Sequence, residues 1–315
     1  MPTSSEPQST SGQPVVLAID VGGTKIDAAV LGADGQLRSR KQILTQADAA
    51  VGLFDRLTGL IDSVLADSVL ADSVLADSVL AGSSVAPEVI GVGCGGPMTM
   101  HGQTVSPLNI PQWREFPLLE RLQQQYQLPT FIDNDAKALA RAEGWMGAAR
   151  GEANYMAMVV STGVGGGIVL NAKLLDGREG NAGHIGHVIV EPFGRDCVCG
   201  ARGCLEAEVS GAAIAEFTGQ PAKYASTEIR RRSGLLVGRA VSSVANLLDL
   251  RLAVVAGSVA LGFGDDFFLA AQAEADRSAR LGFSAGLQIV PSGCEGRGPL
   301  LGAAAVGLAG FAAQS

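Results

Sequence analysis

The sequence predicts an α/β protein with mixed sheets, folded as two halves on one plan. Three observations carry this. Short apolar runs with strand character alternate with longer segments of helical composition. Glycine-rich turns at residues 20–25 and 161–167 each join two apolar strands. The two turns lie in opposite halves of the chain, so one local plan occurs twice.

The first 14 residues, MPTSSEPQSTSGQP, hold no basic stretch and no apolar run. They read as a disordered tail rather than a signal peptide. A strand over residues 15–20 leads through the first glycine turn to a second over 26–31. Asp34-Gly35 then marks a hairpin into a third strand over 36–44. A helical stretch covers about residues 49–81. A strand over 88–92 runs into the glycine cluster 91–96. A helix near 115–125, a strand over 129–133 and a helix over 134–146 follow. The second half repeats the theme, with strands near 155–161 and 165–170, further helices, a strand over 252–256 and a terminal helix after Pro299. The expected organisation is a tail (1–14), a smaller N-terminal lobe (15–133) completed by the terminal helix (about 299–315), and a larger lobe (134–298).

Within the first long helix the pentapeptide DSVLA occurs four times, over residues 62–81. Five residues advance about 500° around a helix, so each copy is rotated by about 140° from the last. Val and Leu therefore wind around the axis and hold no single buried face. Leu65 can pack in a core, but four equivalent leucines cannot. The repeat reads as a tandem expansion that lengthens one helix by three units, about 22 Å. An oligomerisation arm is the weaker reading, because no heptad is sustained.

Composition narrows the function classes. The 315 residues are 47% hydrophobic and 17% charged, with 42 glycines, as in a folded chain rich in backbone-built loops. Lys plus Arg number 23 against 31 for Asp plus Glu, a net charge of −8, and the one basic block is Arg230, Arg231 and Arg232. A nucleic-acid binder is disfavoured. Mean hydropathy is +0.26, yet charges and glycines interrupt every apolar run before the roughly 18 residues of a membrane span. Five cysteines, three of them crowded at 197, 199 and 204, do not form a secreted disulfide framework. A cytoplasmic protein is expected.

Four motifs carry chemistry. In Asp20-Val-Gly-Gly-Thr-Lys25, Gly22 and Gly23 let backbone N–H groups approach anionic oxygens, while Thr24 and Lys25 add a hydroxyl and a cation. Asp20, at the strand end, suits the water shell of magnesium. The Walker A spacing is missing, and an ordinary glycine hairpin is an equal reading of this turn alone. Ser161-Thr-Gly-Val-Gly-Gly-Gly167 is a second such turn. Gly91-Val-Gly-Cys-Gly-Gly96 matches GxGxxG, but Pro97 and residues 98–102 open no helix, so a Rossmann reading fails. That run is expected to form backbone beside a substrate cleft.

Asp133-Asn134-Asp135 sits where a strand hands over to a helix. Asn134 or Asp133 can cap it, and the helix dipole is expected to keep Asp135 ionised. A fixed carboxylate beside an amide suits removal of a hydroxyl proton during phosphoryl transfer, and a plain capping box is the alternative. The fourth motif is His187 with Cys197, Cys199 and Cys204, a closed Cys₃His set of the structural zinc type. Cys94 and Cys294 lie outside it and read as core residues.

The paired glycine turns resemble the actin-like ATPase and sugar kinase superfamily, a two-lobed ribonuclease H-like fold. Residues 163–167, 174–177 and 183–187, with the C-V-C-G-A-R-G-C-L-E run over 197–206, resemble the signature and zinc segments of the ROK family (repressors, open reading frames, kinases). The resemblance runs from about Val15 to the C-terminus. It implies a cleft between two lobes, ATP with magnesium, structural zinc, and homodimers or homotetramers. It implies Asp135 as the catalytic base, with Asn109, Asn134, His184, His187 and Glu206 contacting the sugar. On the nucleotide side it implies Asp20, Gly22, Gly23, Thr24, Lys25, Thr162, Gly163 and Gly257.

At residue 184 many kinases of this family carry Glu, where this chain reads Gly183-His184-Ile-Gly-His187. A carboxylate accepts two hydroxyl protons, whereas a neutral imidazole donates one bond and accepts one. The histidine version resembles the branch acting on N-acetylmannosamine. The implied activity is ATP-dependent phosphorylation of that sugar at its 6-hydroxyl, with glucose or N-acetylglucosamine as alternatives. A sugar-sensing regulator without a DNA-binding module is the non-enzyme alternative, and it has no need of Asp135.

Overall fold

A computed structural model describes residues 14–46, 52–75, 86–294 and 296–314, with backbone alone for 70–75. In the first half β1 (Val16–Val21), β2 (Lys25–Leu31) and β3 (Leu37–Leu44) form a meander. Then come α1 (Leu53–Leu75), β4 (Val89–Cys94), α2 (Leu118–Tyr126), β5 (Thr130–Asn134) and α3 (Asp135–Met146). The second half repeats this with β6 (Tyr155–Val160), β7 (Val164–Leu170) and β8 (Lys173–Leu174). Next are α4 (Leu205–Val209), α5 (Gly211–Thr218), α6 (Thr227–Leu248), β9 (Leu252–Ala256), α7 (Ser258–Phe263), α8 (Asp265–Ser278), β10 (Gln288–Pro291) and α9 (Gly298–Gln314).

The strand orders are β3-β2-β1-β4-β5 and β10-β9-β6-β7-β8. In each sheet the first three strands run antiparallel, and the two later strands add parallel on the open side of the first. This is one ribonuclease H-like sheet built twice, and it bears out the predicted class. The edge strand β10 escapes sequence reading because only Ile289 and Val290 lie between Gln288 and Pro291.

Both faces of β1 are covered, which is why it reads as an unbroken apolar run. Leu17 and Ile19 face the core shared with Leu57 and Ile61 of α1. Val16 and Ala18 face Leu300, Leu301 and Ala304 of α9. The second sheet packs Met156, Met158 and Val160 against Val237 and Val241 of α6 and Phe267 of α8. The helices that follow the two fifth strands are exchanged: α3 packs on β6 and β7, while α9 returns to β1, β4 and β5, and the pair pack on each other between the sheets.

Local signals behave as expected. The Asp34-Gly35 turn closes with Gly35 N–H donating to Gly32 O at 2.9 Å and Gln36 N–H to Asp34 Oδ1 at 3.0 Å. The predicted helix over 49–81 is seen as α1; residues 49–51 and 76–81 lie outside the described residues. Its repeat winds as the five-residue period requires, with Val64 fully buried and its counterpart Val69 64% exposed. Leu65 packs at the core edge.

Candidate active site

The site gathers where parallel strands end. Register places Asp20 of β1 beside Gly93 of β4, and Gly93 beside Asp133 of β5. Gly93 has no side chain, and a Cβ there would lie 3.7 Å from Asp20 Oδ1 and 3.8 Å from the Asp135 Cα. Asp20 and Asp135 thus share one floor, an arrangement open sheets favour at their carboxyl edge.

Asn134 is the cap of α3: its Oδ1 accepts from Ala136 N–H at 3.0 Å and Lys137 N–H at 3.4 Å. Its amide nitrogen is turned toward Gly96. Asp135 opens the helix and is exposed, with its Oδ1 accepting from Ala136 N–H at 2.8 Å. Burial raises its pKa, against the pull of the Ala136 N–H and His184. Desolvation therefore acts against the helix dipole at this carboxyl. Asp20 is pushed up to about 7 by burial, then by Asp135 and Asp27, against Lys25 and Arg40. Two carboxylates facing one space disfavour joint ionisation unless a cation joins them.

The first glycine turn is pinned from the end of β3. Thr45 Oγ1 donates to Gly22 O at 2.6 Å, and Thr45 N–H to Thr24 O at 2.9 Å. Asn109 lies directly over the turn, where a Cβ at residue 23 would come within 2.4 Å of the Asn109 Cβ. Thr24 and Lys25 are exposed. The Lys25 ammonium reaches Gln42 Oε1 at 3.4 Å and Asp27 at 3.9 Å.

The second turn comprises residues 161–163 only. Gly165 and Gly167 lie within β7, where a Cβ would come within 2.8 Å of Ala136 and Ala140, respectively. These glycines let α3 lie close on β7. They were legible as a turn, but their packing role needs the sheet. Ser161 N–H donates to Gly163 O at 2.9 Å, and Ala212 N–H donates to Thr162 O at 3.2 Å. Glu206, from α4, accepts Val164 N–H at 2.8 Å, so one of its oxygens is committed to the turn. Gly257, at φ 102°, crosses close to Val160 O, where a Cβ would come within 2.3 Å.

His184 and His187 face each other with ring centroids 6.1 Å apart. Burial and His187 hold His184 below the usual imidazole range, against the pull of Glu206 and Asp135. A neutral ring there donates one hydrogen bond and accepts one. His187, Cys197, Cys199 and Cys204 converge, with their ligand atoms all within 4.8 Å of one another. Cys199 and Cys204 sulfurs are 3.7 Å apart, as are Cys197 Sγ and His187 Nδ1. A tetrahedral ion with sulfur at about 2.3 Å spaces sulfurs about 3.8 Å apart, so the set fits zinc. Burial and the two neighbouring thiols push Cys204 up to about 12. With Nδ1 toward the cysteines, His187 keeps Nε2 for a second partner. Cys94 and Cys294 are buried, as expected.

Sequence reading missed the groups that brace the site. Glu208 is fully buried and bonded by the Arg195 N–H and by the Arg195 and Arg232 guanidiniums, which tie the cysteine loop to α4 and α6. Burial opposes these bonds, yet they hold Glu208 below the ordinary carboxylate range. Asp27, also buried, carries a two-bond pair with Arg40. Lys137 binds Asp133 four residues back, a spacing that could have been read on a helix start. Cavities of about 440 Å³ lie away from this cleft, one between α1 and β3 and one beside α3, β7 and α9.

Two ribonuclease H-like sheets with an open cleft at their carboxyl edges define an actin-like protein. Within that class the chain belongs to the ROK family, which it matches over residues 16–309. It is 36% identical over 266 residues to the N-acetylmannosamine kinase of Shigella flexneri, covering 79% of this chain and 84% of that one. The solved ROK hexokinase of Thermus thermophilus is similar at a TM-score of 0.77 and 28% identity, covering 95% of this chain and 99% of that one. A ROK family glucokinase from Streptomyces griseus, in complex with glucose and AMPPNP, has a TM-score of 0.75 and 26% identity, covering 93% and 99%.

Proposed function

We propose that this ROK-family sugar kinase transfers the γ-phosphoryl group of ATP to the 6-hydroxyl of N-acetylmannosamine. The observation that carries the reading is the 36% identity to an N-acetylmannosamine kinase across most of both chains. The convergence of Asp135, Asn134 and His184 at one cleft supports it.

In this reading Asp135 takes the proton of the 6-hydroxyl as that oxygen forms its bond to phosphorus and ADP leaves. A carboxyl raised by burial is a stronger base for that step. Asn109, Asn134, His184, the free nitrogen of His187, and Glu206 hold the ring hydroxyls. The turns at Gly22, Gly23 and Thr24 and at Thr162 and Gly163 offer N–H and hydroxyl donors to the phosphates, with Lys25 adding charge. Gly257 leaves room on the nucleotide side. Magnesium, when bound with ATP near Asp20, neutralises phosphate charge. Zinc held by His187, Cys197, Cys199 and Cys204 fixes the loop that presents His187 and Glu206. Residues 15–133 with the terminal helix and residues 134–298 act as the two lobes, in a cytoplasmic homodimer or homotetramer.

The test is ADP release by the purified protein with Mg-ATP and N-acetylmannosamine, N-acetylglucosamine or glucose. Preference for N-acetylmannosamine is expected. The second reading, a glucokinase, is favoured by the likeness to the Streptomyces griseus enzyme, and a preference for glucose would establish it. No turnover on any of the three overturns the kinase reading in favour of a sugar sensor.

A further inference from the structure

Residues 176–183 form the loop that leads into His184; its end at Gly183 packs on the backbone of Gly166 and Gly167, and among the described residues the side chain of Lys137 hydrogen-bonds the rest of it to the floor of the site. Lys137 lies two residues beyond Asp135 on α3, with its side chain only 4% exposed. A buried ammonium requires an acceptor for each of its three N–H groups. Lys137 Nζ donates to Asp176 Oδ1 at 2.7 Å and Gly180 O at 3.0 Å, and pairs with Asp133 Oδ1 at 3.1 Å. The acceptors belong to the end of β5 and to two points of the loop.

Ala182 N–H donates to Asp176 O and Asn181 Nδ2 to Glu179 O, both within the loop. Arg178 and Glu179 pair in solvent. Among the described residues, the hydrogen bonds joining 176–182 to another element are those from Lys137. At its far side the loop approaches the first half, where a Cβ at residue 180 would lie 3.7 Å from Met100 Cα.

We propose that Lys137 is a positioning residue for sugar recognition: it ties the 176–183 loop to Asp133 and α3, and so holds His184 in register with Asp135. The kinetic part of this proposal rests on the sugar-kinase reading above; the structural part does not. Lys137 touches neither reacting atom, so its removal acts on sugar affinity rather than on the chemical step.

The experiment compares Lys137→Met and Asp176→Ala with the unaltered protein by two readouts. The first is tryptic cleavage after Arg178, whose side chain is 93% exposed. The second is the separation of KM for sugar, KM for ATP, and kcat. Release of the loop predicts several-fold faster cleavage at Arg178 in both variants. It also predicts a sugar KM raised about tenfold in Lys137→Met, with kcat and the ATP KM within about twofold. Asp176→Ala shifts the same way by less, and the double variant is no worse than Lys137→Met.

Unchanged cleavage at Arg178 in the folded variants overturns the proposal. So does a fall in kcat with sugar KM unchanged. Asp176 has a side chain 57% exposed, so its variant carries the test if Lys137→Met does not fold. If the unaltered protein phosphorylates no sugar, the functional reading fails, and the cleavage rates still decide whether Lys137 holds the loop.

Discussion

Asp20 and Asp135 sit two strands apart, and burial pushes both carboxyls upward. For Asp20 the folded value of about 7 stands above an ordinary value of 3.8. Between those limits the folded chain keeps a proton that the unfolded chain has released, so this residue's contribution to stability falls as pH rises through that window. Asp20→Asn cannot ionise. Its stability should exceed that of the unaltered protein increasingly from pH 4 to pH 7, by at most about 4 kcal/mol, as read from melting curves. Equal melting curves at pH 8 without magnesium would count against a strained carboxylate. Asp135→Asn should cost about 10²–10⁴-fold in kcat with sugar binding retained, as read by titration calorimetry beside the coupled assay. The acid limb of kcat/KM in the unaltered enzyme should lie above the ordinary carboxylate range, because activity is lost as pH falls through the raised pKa of Asp135.

At the scale of elements, α3 is held close to β7 by missing side chains. In Gly167→Ala the new methyl would come within 2.8 Å of the Ala140 Cβ and 2.9 Å of the Lys137 Cα. Overpacking of this kind costs about 1–3 kcal/mol, and it lifts the helix that begins at Asp135. Thermal unfolding and kcat should both fall; an unchanged kcat would mean that α3 is not held by this contact. The cysteine loop makes a second case. Cys199 is exposed, so Cys199→Ser leaves no cavity, and any drop in melting temperature reports the metal. Loss of zinc by elemental analysis and a lower melting temperature are expected. Full zinc content would refute a four-ligand site.

For the molecule as a whole, the exchange of α3 and α9 between the sheets is the joint on which the halves meet. Gly302 of α9 lies so close to α3 that a Cβ would come within 2.7 Å of the Ala138 carbonyl carbon. Gly302→Val should wedge the two helices apart. We expect a lower melting temperature together with a raised KM for both sugar and ATP, since in the proposed reading each half contributes to both binding regions. A loss of stability with both KM values intact would confine the joint to a structural role. No helix among the described residues is long and apolar enough to cross a membrane.

Much of this was legible in the residues. Apolar runs of strand length, the Asp34-Gly35 hairpin and the two glycine turns announce a duplicated α/β plan, because turn chemistry and side-chain period act locally. The spacing of Cys197, Cys199 and Cys204 announces, for the same reason, a cluster whose ligand atoms converge and could hold a metal ion. Tertiary structure alone decided the rest. The exchange of α3 and α9 depends on which face each sheet leaves open. The raised carboxyls of Asp20 and Asp135 depend on a floor shared by strands more than a hundred residues apart in sequence. Glu208 and Asp27 look like surface charges until burial and their arginines are seen. Lys137 shows half of its role in the sequence, its four-residue spacing from Asp133, and hides the other half in a loop some forty residues away. Burial and long-range electrostatics are properties of the packed chain, and no local pattern encodes them.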